Sequence, residues 1–146
     1  MDVTPKKEDI SSFFEQSYNF DEFQFQDFLN FEDETVVRLA RKSKQGKCLK
    51  CGAKGVAENF RTRRIRDLDL IKRCYIEFEQ AKIRCKCGYR GVERLDFLGR
   101  HSMYTQRFEE FVGRLTEIMS LSDVAGICGI NWKTAQKLNN SRKQTG

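Results

Sequence analysis

Apolar positions along this chain change their period from one segment to the next, and each period predicts an element. Near the start, Phe20, Phe23, Phe28 and Phe31 are spaced to share one face of a helix. From Phe31 to Arg41 the run FEDETVVRLAR turns β-like around Val36, Val37 and Leu39, and KSKQGK then reads as a solvated loop. AENFRTRRIRDLDL is extended and basic, and RCYIEFEQAKIRC follows with Cys74, Ile76 and Phe78 on one strand face, so the two predict a hairpin. After Gly99 the period lengthens to that of a helix. Phe108, Phe111, Val112, Leu115, Ile118 and Met119 make an apolar stripe on a helix that starts near Ser102 or Thr105. Ser120 and Asp123 form a capping-box pattern ahead of a second helix from Leu121 to Cys128. Gly129 supplies a turn that accepts positive φ, and Asn131 caps a third helix from Trp132 to Lys143.

Charge divides the chain more sharply than its total of +6 suggests. Residues 1–37 hold ten Asp/Glu against two Lys, net −8, whereas residues 38–146 hold 25 Lys/Arg against 11 Asp/Glu, net +14. An excess of positive charge on a folded body is the electrostatic footprint of a polyanion partner, with nucleic acid the first expectation. The acidic start also carries seven of the twelve phenylalanines, in SSFFEQSYNFDEFQFQDFLNF, a composition of neither a linker nor a polar tail. Its stripe offers a surface for packing on the rest of the chain, for self-association or for a partner protein, and its acids suggest competition with nucleic acid for the basic body. The N-terminus lacks the apolar core of a signal peptide and no run is long enough to span a bilayer. A cytoplasmic protein with no membrane contact is expected.

Thiols stay reduced in that compartment, so six cysteines point to metal ligands and core residues rather than to disulfides. CLKC at Cys48 and Cys51 and CKC at Cys85 and Cys87 are separated by 33 residues, and each pair is followed by glycine, Gly52 and Gly88. That spacing suits a zinc ribbon in which two hairpin turns face each other across one Zn²⁺. Four thiolates close the tetrahedral shell, so the ion would be structural and would supply folding free energy to a small β module. Cys74 is an alternative ligand if the short CKC chelate is strained; otherwise Cys74 and Cys128 are expected in the core as small hydrophobes. A redox reading of CLKC needs a βαβ context that the pattern does not provide.

In LSDVAGICGINWKTAQKL, Val124, Cys128, Ile130, Ala135 and Leu138 fall where two short helices crossing at a tight turn need apolar contacts. Asn131, Trp132, Lys133, Gln136, Lys137 and Asn140 remain on the outer side, and these are side-chain types that read base edges and hold phosphates in a major groove. Arg61, Arg63, Arg64 and Arg66 on the extended segment are candidates for further phosphate contacts.

The order CLKCG, RTRRIRDL, RCKCG, LDFLGRHSMYTQRFEEFVGRL and SLSDVAGICGINWKTAQKL resembles the N-terminal part of insertion-sequence transposases of the ISL-three family, over residues 31–143. The resemblance implies a zinc-binding ribbon followed by a helix-turn-helix, together recognising the terminal inverted repeats of a mobile element. By position it implies Cys48, Cys51, Cys85 and Cys87 as ligands and the helix bearing Trp132, Lys133 and Thr134 as the recognition helix. The CKC spacing and the Phe-rich leader depart from the family pattern. Family members continue into a catalytic domain, which this chain, ending at Gly146, is expected to lack; no enzymatic activity is expected of it.

The expected architecture is therefore α+β: an acidic Phe-rich segment at 1–30, a zinc ribbon at 31–98 and a three-helix helix-turn-helix domain at 99–146. The expected function is sequence-specific binding of double-stranded DNA. The residues leave open a stand-alone transcriptional regulator, an RNA-binding zinc-ribbon protein, and a zinc-stapled interaction adaptor.

Overall fold

The computed structural model describes residues 22–69, 72–101 and 103–145, the last five of these by their backbone alone. Six strands come first: β1 Phe23–Asn30, β2 Glu34–Arg41, β3 Gln45–Lys47, β4 Lys54–Asp67, β5 Arg73–Arg84 and β6 Arg90–Val92. Three helices follow: α1 Gln106–Leu115, α2 Leu121–Cys128 and α3 Trp132–Thr145. The fold is thus α+β. Among the described residues no helix is long and apolar enough to cross a membrane.

The sheet runs β1-β2-β5-β4-β3, with β6 also on β5. The long β4–β5 hairpin is its spine, paired from Val56↔Arg84 to Asp67↔Cys74. On its other edge β5 takes two partners in succession. β2 lies parallel along Arg73–Glu77, and β6 antiparallel along Lys82–Arg84. Between those partners the edge of β5 is closed by side chains. Arg41 Nη1 donates to the Glu79 carbonyl at 3.0 Å, and the Ala81 N–H donates to Glu93 Oε2 at 2.5 Å.

The Phe-rich segment departs from the expected helix. Phe23, Phe28 and their neighbours form β1, antiparallel to β2, with a bulge between Phe25 and Asp27. The bulge inserts one residue, which keeps Phe23, Phe25 and Phe28 on one face although their spacing is two and then three. Phe23 is buried, Phe25 and Phe28 pack beside it, and Phe31 is exposed beyond the strand. Phe20 and the residues before it lie outside the described residues, as does Ser102. The expected KSKQGK loop holds the short strand β3.

Three apolar clusters result. Phe23, Val37, Leu39, Ile65, Cys74, Ile76, Phe78 and Phe97 fill the sheet core, where the rings of Phe23, Phe78 and Phe97 meet edge to face. Phe108, Val112, Val124, Cys128, Ala135 and Leu138 join the helices. Cys48, Ala81, Ile83 and Cys85 form a smaller cluster at the far end of the hairpin. Of the α1 stripe, Phe108 and Val112 are buried, Phe111 is exposed within the helix, and Ile118 is exposed beyond its end at Leu115. The Thr116 hydroxyl donates there to the Gly113 carbonyl at 2.6 Å and lies 2.9 Å from Asn139 Oδ1.

Candidate metal centre and nucleic-acid interface

Each cysteine pair sits on a tight turn built the same way. After CLKC, the Gly52 N–H donates to the Cys48 carbonyl at 3.0 Å and the Cys48 N–H to the Ala53 carbonyl at 2.7 Å. After CKC, the Gly88 N–H donates to the Cys85 carbonyl at 3.0 Å and the Cys85 N–H to the Tyr89 carbonyl at 2.9 Å. Gly52 and Gly88 have φ of 78° and 98°, a region that side-chain-bearing residues rarely adopt, which explains a glycine after each pair.

The β4–β5 hairpin brings the two turns face to face. The Sγ atoms of Cys48, Cys51, Cys85 and Cys87 all lie within 4.8 Å of one another. Cys48 is 3.6 Å from Cys87, and Cys51 is 3.6 Å from Cys85. A tetrahedron with metal–sulfur bonds of about 2.3 Å has sulfur–sulfur edges of about 3.8 Å. The four thiols therefore fit a structural metal ion, and both sulfurs of CKC reach the cluster. Burial pushes the Cys48 thiol up, but the Cys51 and Lys50 N–H groups and then the Cys87 and Cys51 thiols outweigh it and hold its pKa at about 6. The Lys50 N–H lies 3.3 Å and the Cys51 N–H 3.4 Å from its sulfur. Such donors also support a thiolate bound to a cation.

Cys74 and Cys128 stand apart. Cys74 is buried in the sheet core, where burial chiefly pushes its thiol to about 11, against the pull of the Thr35 hydroxyl. Burial likewise raises Cys128 among the helices. The alternative of Cys74 as a ligand is not what the geometry provides, since the four other thiols meet without it.

The helical part is assembled from local signals. Ser120 Oγ accepts the Asp123 N–H at the start of α2, and Asn131 Oδ1 accepts the Lys133 N–H at 2.8 Å at the start of α3. Between them Gly129 takes φ 66°, and the Ile130 N–H returns to the Ala125 carbonyl. Ala135 and Leu138 point inward, so Asn131, Trp132, Lys133, Gln136, Lys137 and Asn140 are exposed along the opposite face of α3, with Thr134 partly covered. Trp132 keeps 49% of its surface open.

The arginines of β4 do not act alike. Arg61 is exposed. Arg63 is half-buried and donates to Gln80 Oε1 at 2.8 Å. Arg64 pairs with Glu34 and lies over the Tyr75 ring at 4.4 Å. Arg66 differs from the surface contact expected of it, because it is 6% exposed. Its Nη2 donates to the Cys128 carbonyl at 2.8 Å and to Asp69 Oδ1 at 3.1 Å, and its guanidinium lies over the Phe108 ring. Arg66 therefore fastens the sheet to the C-terminal end of α2, where a cation also meets the favourable end of the helix dipole. Alternation hid this role, since a basic run on a strand reads as surface until its covering element is known.

Asp67, buried beside it, is a second fastening that the sequence did not announce. It accepts from Thr105 Oγ1 at 2.7 Å and from Arg107 through Nε at 2.8 Å and Nη2. Thr105 Oγ1 in turn caps α1 by accepting the Phe108 N–H.

Residues 93–138 match the helix-turn-helix domain of transposase family ISL3. The chain is also similar to the transposase for insertion sequence element IS1001 of Bordetella parapertussis, at 30% identity over 98 residues. That stretch is 65% of this chain and 24% of the relative, so the chain spans only a minor part of the length of the curated protein it matches. No solved structure matches the chain. The helical part is thus similar to a transposase-type helix-turn-helix.

Proposed function

We propose that the chain recognises double-stranded DNA at the terminal inverted repeats of an insertion sequence, acting as the DNA-binding part of a transposase. α3 enters the major groove. Asn131, Lys133, Gln136 and Asn140 address base edges, and Trp132, Thr134 and Lys137 contact the sugar-phosphate backbone. Arg61, Arg63 and Arg64 on β4 hold further phosphates. Cys48, Cys51, Cys85 and Cys87 bind one Zn²⁺, which closes residues 31–98 into a ribbon-like module beside the helix-turn-helix of 99–146 and does no chemistry of its own. The observation that carries this reading is the polar and cationic face of α3, left exposed by a helix-turn-helix core that buries Ala135 and Leu138.

Titration of the chain with a labelled inverted-repeat duplex and a random duplex, over a range of salt, tests it. If about six cations engage phosphates, the log–log salt slope is near −5. Lys133→Ala lowers affinity for the specific duplex by about 1–3 kcal/mol and for the random duplex by much less, whereas Arg61→Ala weakens both alike. Identical affinity for the two duplexes in the unsubstituted chain would reject end recognition.

A further inference from the structure

Beside the β4–β5 hairpin, under the segment that leads to α1, is a groove of about 550 Å³. Its size falls within the roughly 300–1,000 Å³ typical of small-ligand sites. Arg61, Arg63 and Lys82 bring positive charge to its walls, and Phe60, Val92 and Met103 bring apolar surface. No carboxylate is among the described residues that line it. The arrangement follows from the register, in which Arg61 stands opposite Gln80 and Lys82 opposite both Asn59 and Val92. Gln80 then holds Arg63 in place by accepting its Nη1–H. Burial, and next the Arg61 charge, keep the Arg63 guanidinium below its usual pKa.

The apolar members are the informative ones. Phe60, Val92 and Met103 are 41%, 43% and 56% exposed, a poor use of large side chains on a surface that meets only phosphate. A paired duplex presents charged backbone outward and keeps its base faces stacked within. An apolar base face becomes available only where a nucleotide is unpaired, and cationic grooves with apolar platforms are how proteins hold such strands. We infer that this groove takes one unpaired nucleotide of a DNA strand, with its phosphate near Arg61 and Lys82 and its base against Phe60, Val92 and Met103. The inference rests on the DNA-binding reading above and adds to it a site for a frayed or extruded nucleotide, away from α3.

Fluorescence anisotropy with the full chain at one salt concentration tests this. Three duplexes share a sequence: one blunt, one carrying a few unpaired nucleotides at an end, and one in which those unpaired nucleotides are abasic. The unpaired end should raise affinity about tenfold over the blunt duplex, as stacking of a base typically does, and the abasic end should lose most of that gain. Met103→Asp and Lys82→Ala, both exposed substitutions, should abolish the gain and leave blunt-duplex affinity within about twofold. Equal affinity for all three duplexes, or a gain that survives in both variants, overturns the inference while leaving duplex binding intact. Failure to bind any of the three overturns both.

Discussion

Arg41 and Glu93 show how a single pair of residues can complete a sheet. Arg41 makes a bidentate pair with Glu93 at 2.7 and 3.0 Å, with side chains only 8% and 0% exposed. Its remaining donors reach the carbonyls of Glu79, Gln45 and Ser43. Glu93 meanwhile satisfies the Ala81 N–H, and a Cβ on Gly46 would lie 2.7 Å from its Oε1. Both charges are therefore desolvated, and each depends on the other. Glu93→Ala would strand a buried guanidinium and a strand N–H, at a cost of about 3–5 kcal/mol, a large share of an ordinary domain's stability. Replacing both residues with apolar ones should cost clearly less than the two single substitutions added together. Urea unfolding of the two singles and the double measures this, and strict additivity would show that the pair does not act as a unit. Arg66 makes a parallel case. Arg66→Ala should lower the melting temperature, because it removes the bond to the Cys128 carbonyl, whereas Arg61→Ala should leave melting unchanged and affect only DNA affinity.

At the level of elements, what could be read in the sequence was what neighbouring residues decide. The bounds of α2, Leu121–Cys128, follow from Ser120 before it and Gly129 after it, and both signals lie within a few residues of the helix they delimit. The cysteine cluster was legible for the same reason, since two short motifs, each ending in glycine, report two similar turns. The β1 strand was not. Its bulge breaks the alternation into spacings of two and three, so period two does not show until the partner β2 is known, while the three-residue steps Phe20–Phe23 and Phe28–Phe31 suit a helix. Nor could the sequence reveal that β2 runs parallel to β5, because that pairing joins residues far apart in the chain. The same logic places a test at the turn between α2 and α3. Gly129 holds φ 66°, and a Cβ there would meet the Arg73 guanidinium, a flexible group that can move aside. Gly129→Ala should therefore cost about 1–2 kcal/mol, mostly backbone strain, visible as a loss of stability in thermal melting. A neutral result would mean that the turn does not require the left-handed conformation.

Across the whole molecule, stability is distributed unevenly, and this decides what a chelator should do. The sheet core around Phe78 and the helical core around Phe108 are fastened to each other by Arg66 to the Cys128 carbonyl and by Asp67 to Thr105 and Arg107. Among the described residues, the end bearing the four thiols buries Ala81 and Ile83 with Cys48 and Cys85, and Ala57 and Tyr89 pack partly buried against them. So small a cluster cannot offset the ordering of two turns and the short strands β3 and β6 unless an ion joins them. Removing the metal should therefore melt one end of the protein rather than all of it. In hydrogen exchange, amides of Gln45–Lys47 and Arg90–Val92 should lose protection, while those of α1 and of the β1–β2 pair keep theirs. Far-ultraviolet circular dichroism should lose strand signal and retain most of its helical signal. DNA affinity should fall without vanishing, because α3 remains folded and only the contacts carried by the outer part of β4 lose their geometry. Uniform loss of protection across the described elements would instead mean that the thiol cluster is the nucleus on which both larger cores depend.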